Sequence, residues 1–145
     1  MKKIVFIGLV LVLGLFGCTQ QDNSAQQAKN DVMVLSASDI TSQAKWYEYE
    51  SNGVTIKFFA VKGSDGVIRT AFDACDVCFG AHKGYRQEGN IMVCNNCGNK
   101  YAIDSLGTEN KRGGGCWPGY LPNTLEGEQI VIQNADLEKG RYRFA

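Results

Sequence analysis

The sequence predicts a mainly β domain, a small antiparallel sheet or barrel-like fold. Its 145 residues include 17 glycines and only 2 prolines, and many of the others are Val, Ile, Tyr and Phe, which favour strands and turns over a helical bundle. Residues 45–50 alternate polar and aromatic side chains, a pattern that indicates a half-buried strand. Asn52 and Gly53 follow after one residue, and this dipeptide is the strongest hairpin signal in the chain.

The first half of the domain is predicted to be a strand, a turn and a three-stranded meander. An apolar run marks the first strand, alternation marks the next two, and turn-forming residues separate them. In the second meander strand, Val54, Ile56, Phe58 and Ala60 share one face because strand side chains alternate. The predicted elements are strands at 32–35, 45–50, 54–61 and 67–72, a turn with room for one helical turn at 36–43, and a turn at 64–66.

The second half of the domain is predicted from shorter segments. Two short strands flank a cysteine pair, and three consecutive glycines at 113–115 form a loop that can approach another segment closely. Ile130 and Ile132 alternate within a later strand. The predicted elements are strands at 91–93, 100–103, 129–133 and 141–144, a hairpin-like polar segment at 85–88, a turn at 125–127 and a helical turn at 135–139.

Two C-x-x-C pairs, Cys75 with Cys78 and Cys94 with Cys97, predict a metal site on knuckle loops at one end of the domain. Four thiolates suit zinc, copper(I), a single iron or an iron–sulfur cluster. Gly98 follows the second pair directly and Gly80 stands two residues after the first. Such glycines permit the positive φ that aims backbone N–H groups at sulfur atoms.

Cys116 and His82 are further candidates for the metal site. Cys116 follows the glycine loop and precedes Pro118 by two residues, which predicts a loop folded over the site. It is a fifth ligand, a replacement ligand or a redox partner, because leftover thiols outside the cell are seldom idle. His82 lies four residues after Cys78, and a hydrogen-bonded surface histidine is the alternative to ligation. Aromatic residues near the pairs, Phe79, Tyr101 and Trp117, are expected to shield the site.

The N-terminal segment predicts export and membrane attachment. Residues 1–17 combine a positive start with an apolar core that is shorter than the roughly 20 residues of a membrane span, as in a secretory signal. The segment 15–18 resembles a bacterial lipobox, which implies lipidation of Cys18. Residues 18–31 are polar and predict a flexible linker to the domain at 32–145. An uncleaved anchor is the alternative. Either reading places the domain outside the cytoplasm, periplasmic or on the outer cell surface.

Composition excludes several function classes. The formal net charge is zero, so there is no basic footprint for nucleic acid. The single histidine, and the lack of a P-loop, nucleophile elbow or paired-carboxylate motif, favour a redox carrier over a catalyst.

Three stretches together, FDACDVCFGAHKGYRQEG, IMVCNNCGNKYAID and GGGCWPGYLP, resemble the FtrD-like family of membrane-associated iron–sulfur proteins. The resemblance runs from about residue 32 to the C-terminus. It implies cysteine-ligated iron–sulfur or other metal binding, and a role in electron transfer or ferrous-iron uptake beside an iron permease or a redox membrane protein. Trp117 stands where many relatives carry Asn. Residues 94–105 are similar, more weakly, to the second loop of Rieske-type domains, where histidine replaces Cys97.

Three functions therefore stay open. The first is a membrane-tethered electron-transfer or metal-relay protein. The second is a binding module supported by a structural Cys₄ zinc ribbon. The third is thiol–disulfide exchange, although a disulfide between residues three apart is strained. Lys2 and Lys3, in place of a twin arginine, indicate export of an unfolded chain, so that the metal would load after export.

Overall fold

The computed structural model describes residues 31–145. The predicted signal at 1–17, Cys18 and all but the last residue of the predicted linker lie outside the described residues. Within residues 31–145, ten strands form three small antiparallel sheets, in the orders β1-β10-β9, β2-β3-β4-β8 and β5-β6-β7, so the prediction of a mainly β, antiparallel fold is confirmed. The strands are β1 Val32–Ser36, β2 Lys45–Ser51, β3 Val54–Lys62, β4 Ile68–Phe72, β5 Tyr85–Glu88, β6 Ile91–Cys94, β7 Lys100–Ala102, β8 Tyr120–Leu121, β9 Thr124–Glu126 and β10 Gln129–Gln133, and the helix is α1 Asn134–Lys139.

The predicted meander forms the four-stranded sheet. β2 and β3 pair around Asn52 and Gly53, which have φ values of 46° and 76°. Both values are positive, as a type I′ hairpin turn requires. β3 then pairs with β4, and β4 pairs with the short strand β8. The hairpin signal in the sequence therefore marks the turn that the chain makes.

Strand β3 is buried on both faces. Ile56, Phe58 and Ala60 belong to one buried cluster, which includes side chains from β1, β10 and α1. Phe59 and Val61 belong to a second cluster, which includes side chains from the β5-β6-β7 sheet and two of the cysteines. Because adjacent side chains point to opposite faces of a strand, one strand supplies both cores.

Several sequence predictions of the C-terminal half need correction. The predicted strand at 141–144 is wrong, because Arg141–Arg143 is a 3-10 turn closed by local bonds such as Phe144 N–H to the Arg141 carbonyl, 2.9 Å. Leu125, predicted in a turn, lies in β9, and the turn falls at Gly127. Strand β8 is not predicted from the sequence, because two residues are too few to show a strand pattern. Across residues 31–145, no helix has the length and apolar character needed to cross a bilayer.

Candidate metal centre

The first cysteine pair lies on a loop that follows β4. The Cys78 amide N–H donates to Cys75 Sγ at 2.9 Å, which is the backbone-to-sulfur contact that the knuckle prediction requires. A short 3-10 turn, Phe79–Ala81, follows. The expectation that Gly80 needs a positive φ is wrong, since the left-handed positions of this loop are His82 and Gly84.

The second pair lies on the turn between β6 and β7. Gly98 has a φ of 76° and donates its N–H to the Cys94 carbonyl at 2.9 Å, so the glycine prediction is confirmed here. The amides of Asn96 and Cys97 bond the Cys94 sulfur, and the Asn99 amide bonds the Cys97 sulfur. Backbone dipoles therefore point at the thiols of both pairs.

Three segments, which we call arms, contribute to the centre: the loops that carry the two cysteine pairs and the glycine loop that carries Cys116. Gly113, Gly114 and Gly115 all have positive φ values, which non-glycine residues rarely adopt. The Gly114 N–H donates to Asp76 Oδ2 at 2.5 Å, and the Tyr85 hydroxyl donates to the Cys116 carbonyl at 2.5 Å. These two bonds hold the loop against the first cysteine pair and the β5-β6-β7 sheet.

The three arms bring five sulfur atoms together. The sulfur atoms of Cys75, Cys78 and Cys116 lie within 4.8 Å of one another, and so do those of Cys78, Cys94 and Cys97. The Sγ atoms of Cys78 and Cys116 are 3.3 Å apart. Cys78 is common to both groups, and Cys116 belongs to one of them although it lies outside both C-x-x-C pairs. All five thiols are free.

The structure does not bring His82 into either sulfur group. Its exposed side chain lines a polar cavity of about 380 Å³, which Cys75, Cys78 and Cys94 also line. His82 has a φ of 50° and ends the 3-10 turn after the first pair. Its place in the loop is therefore adjacent to the sulfurs but outside their groups.

Burial differs among the five cysteines. Cys75 and Cys94 are buried, Cys78 and Cys116 are half-buried, and Cys97 is exposed. The backbone N–H of Asn99 is the main cause that lowers the pKa of Cys97 to about 7. Burial, followed by the neighbouring sulfurs of Cys78 and Cys97, raises the pKa of Cys116. The thiols of the centre thus differ in solvent exposure, and the pKa of the exposed Cys97 is lowered whereas that of the half-buried Cys116 is raised.

Aromatic side chains pack against one side of the centre. The Trp117 and Tyr101 rings have centroids 4.5 Å apart, and the Tyr101 and Tyr85 rings are 6.4 Å apart. Phe79 packs edge-on against Tyr142 at 6.1 Å. An apolar shell of this kind limits solvent access and influences the potential of a bound redox group.

Asp76 is a residue of the site that is not predicted from the sequence. It lies inside the first C-x-x-C pair, yet its partners are Gly114, Tyr142 and Arg143. Its position beside the ligands is visible in the sequence, but contacts across about 40 to 70 positions leave no local pattern.

The donor set fits a soft metal. Within residues 31–145, neither sulfur group includes a histidine or a carboxylate. Thiolates suit iron–sulfur clusters, iron, zinc and copper(I), whereas Mg²⁺ and Ca²⁺ require oxygen ligands. An iron–sulfur cluster would therefore find suitable ligands among these cysteines.

Comparison with known protein families finds a match over most of the chain. The family model described as membrane iron-sulfur containing protein FtrD-like matches residues 40–144. The matched region includes all five clustered cysteines. A search of curated proteins finds no match.

Proposed function

Because the chain belongs to the FtrD-like family of membrane iron-sulfur containing proteins, we propose that it transfers electrons, or relays metal, at the outer face of a cell membrane. Its lipidated Cys18 tethers the domain, and the 18–31 linker lets the domain reach a neighbouring membrane protein. The partner is an iron permease or a redox membrane protein, and the process served is ferrous-iron uptake.

The observation that carries the proposal is the convergence of five thiols in a centre that has one solvent-exposed edge. Cys75 and Cys94 anchor the centre in the core, while Cys97 faces solvent. Electron transfer slows steeply with distance, so a redox centre that serves a protein partner must lie near the surface. The exposed Cys97 places one edge of the centre where a partner can approach it.

The chain's own residues have distinct tasks in this function. Cys75, Cys78, Cys94 and Cys97 hold the metal group, and Cys116 lies beside them as a fifth sulfur. An iron–sulfur cluster bound there would supply an electron couple whose potential depends on hydrogen bonds to sulfur and on solvent exposure. The amides of Cys78 and Asn99 provide such bonds. Tyr101 and Trp117 exclude water from one side.

Metal analysis of the full-length chain tests the proposal. The chain is purified in detergent without oxygen, and its iron, zinc, copper and acid-labile sulfide are measured. We expect iron with sulfide and a visible absorption that bleaches on reduction. One zinc without iron, in a colourless protein, would overturn the redox function in favour of a structural zinc ribbon.

A second candidate, thiol–disulfide exchange, is favoured by a single contact. The 3.3 Å between Cys78 Sγ and Cys116 Sγ is short enough for two thiols to lose two protons and two electrons to an oxidant and form a disulfide. The test is mass spectrometry of metal-free protein after exposure to oxidised glutathione. A reversible Cys78–Cys116 disulfide in protein that is isolated without iron would support exchange, and reduced thiols would exclude it.

A further inference from the structure

The five sulfurs are grouped differently from the arrangement that two C-x-x-C pairs suggest. Instead of four sulfurs around one point, there are two groups of three that share Cys78. We propose that these sulfurs also form a two-ion centre for copper(I), in which Cys78 Sγ bridges the ions. Cys75 and Cys116 complete the first position, and Cys94 and Cys97 complete the second. The inference does not depend on the proposed function.

The size of each group fits one ion. Sulfurs that bind an ion at about 2.3 Å in a trigonal arrangement lie about 4 Å from one another. All sulfur–sulfur distances within each group are at most 4.8 Å. Each group of three is therefore close to the geometry that one metal ion requires, before any movement of the backbone.

The number of sulfurs also points to two ions. A tetrahedral zinc site, or a cluster with four cysteine ligands, uses four thiolates, which leaves one of the five without a role. Copper(I) is selected by soft thiolates and is satisfied by three ligands. Two three-coordinate ions that share one sulfur require five sulfurs, which is the number that the structure brings together.

The two positions are built by different parts of the chain. Cys116 reaches the first position on the glycine loop, which is fixed by the Gly114 bond to Asp76. Cys94 and Cys97 reach the second on the β6–β7 turn. The Cys97 sulfur also neighbours Cys116, but Cys78 is the one residue that belongs to both groups. Removing Cys75 or Cys97 therefore leaves all three sulfurs of the other group in place.

A copper(I) titration tests the inference. The full-length chain is reduced, kept without oxygen and titrated with copper(I) in competition with a colorimetric copper(I) chelator. We expect two equivalents for the wild type, and one each for Cys75→Ser and Cys97→Ser. Two control variants, Cys18→Ser and His82→Ala, should keep two equivalents, since neither residue belongs to a sulfur group.

X-ray absorption identifies the bridge. The wild type should show copper–copper scattering, and Cys78→Ser should lose it even if copper stays bound to the remaining cysteine pairs. Saturation of the wild type at one equivalent would overturn the inference, as would copper–copper scattering in Cys78→Ser or two equivalents in Cys75→Ser. If circular dichroism shows that a variant does not fold, the copper(I) stoichiometry of the wild type alone decides between the outcomes. Iron and sulfide found in the protein as isolated would support the proposed function whichever result the copper(I) experiments give.

Discussion

At the scale of single residues, Asp76 connects three distant segments at the candidate metal centre. It accepts hydrogen bonds from the Gly114 amide, from the Tyr142 hydroxyl at 2.7 Å, and from Arg143 Nε and Nη2 at 2.9 and 2.6 Å. Burial raises the pKa of Asp76, but these bonds and the Arg143 charge outweigh it and lower the pKa overall. The carboxylate is therefore charged at neutral pH and holds the Cys116 loop in place.

Asp76→Asn should weaken this connection. The amide cannot accept all of these bonds, and the half-buried carboxylate and guanidinium lose their charge pairing. We expect a loss of about 1–3 kcal/mol in the free energy of unfolding, measured by urea denaturation. Glu48→Gln is the control, because the exposed Glu48–Lys57 pair contributes only about 0–1 kcal/mol. Equal effects of the two substitutions would contradict the role of Asp76.

Cys97→Ser should remove most of the iron and sulfide from the isolated protein. The serine hydroxyl is a poor replacement for a thiolate ligand of a soft metal. Hydrogen exchange should also become faster across residues 91–103, which the bound metal would hold together. His82→Ala is the control and should retain the metal. Unchanged metal content in Cys97→Ser would refute the ligand assignment.

At the scale of elements, the β3–β4 turn is joined to the segment that leads to the glycine loop. Arg69, with an exposed fraction of only 9%, donates from Nε to the Leu106 carbonyl at 2.9 Å and from Nη2 to Asp65 Oδ2 at 2.6 Å. The Ser64 amide donates to Asp104 Oδ1 at 2.8 Å. The turn thus helps to position a segment about 40 residues further along the chain.

Asp65 gives this turn a predictable pH dependence. The hydrogen bond from Arg69, followed by that from the Val67 amide, lowers the pKa of Asp65 well below its ordinary value of 3.8. A depressed folded-state pKa stabilises the fold above the ordinary value, and the stabilisation is lost as pH falls through the depressed one. The melting temperature of Asp65→Asn should therefore lie below that of the wild type at pH 7, and the two should converge in acid. A difference that grows below pH 3.8 would disprove this.

The end of α1 should not tolerate a larger residue. Gly140 has an ordinary φ of −84°, but a Cβ atom there would overlap the ring of Phe72, which is fully buried at the end of β4. Gly140→Ala should cost about 1–3 kcal/mol in the free energy of unfolding. Gly80→Ala is a matched control, because no atom lies within 4 Å of a Cβ at that position. A neutral Gly140→Ala would mean that Phe72 can move aside.

At the scale of the whole molecule, the features that could be predicted from the sequence are those determined by residues close together in the chain. Alternation and the Asn52–Gly53 turn predict the meander, and the spacing of the cysteines predicts that the two pairs meet, as they do in the structure. Strands of two or three residues, such as β8 and β9, are too short to show a period. The position of Cys116 depends on the long-range bond to Asp76, and the predicted strand at 141–144 gives way to a turn in which Arg143 binds Asp76.

Metal removal should destabilise the whole domain, because the sulfur groups join three separate segments. A ligand that binds only the folded state at 100 times its Kd stabilises it by about 2.7 kcal/mol. Treatment with a chelator under reducing conditions should therefore lower the melting temperature of the full-length chain, measured by circular dichroism. The effect should vanish in Cys78→Ser. An equal decrease in that variant would mean that the chelator acts elsewhere.

The double burial of β3 has a consequence for how the molecule would respond to losing its metal. Phe58 and Phe59 are neighbours in the chain, yet each is enclosed by a different cluster, and only the cluster around Phe59 contains cysteines. The cluster around Phe58 contains no thiol and needs no ion, so it should keep β3 in its native position after the metal is lost. The centre could then bind metal again without unfolding and refolding of the whole domain.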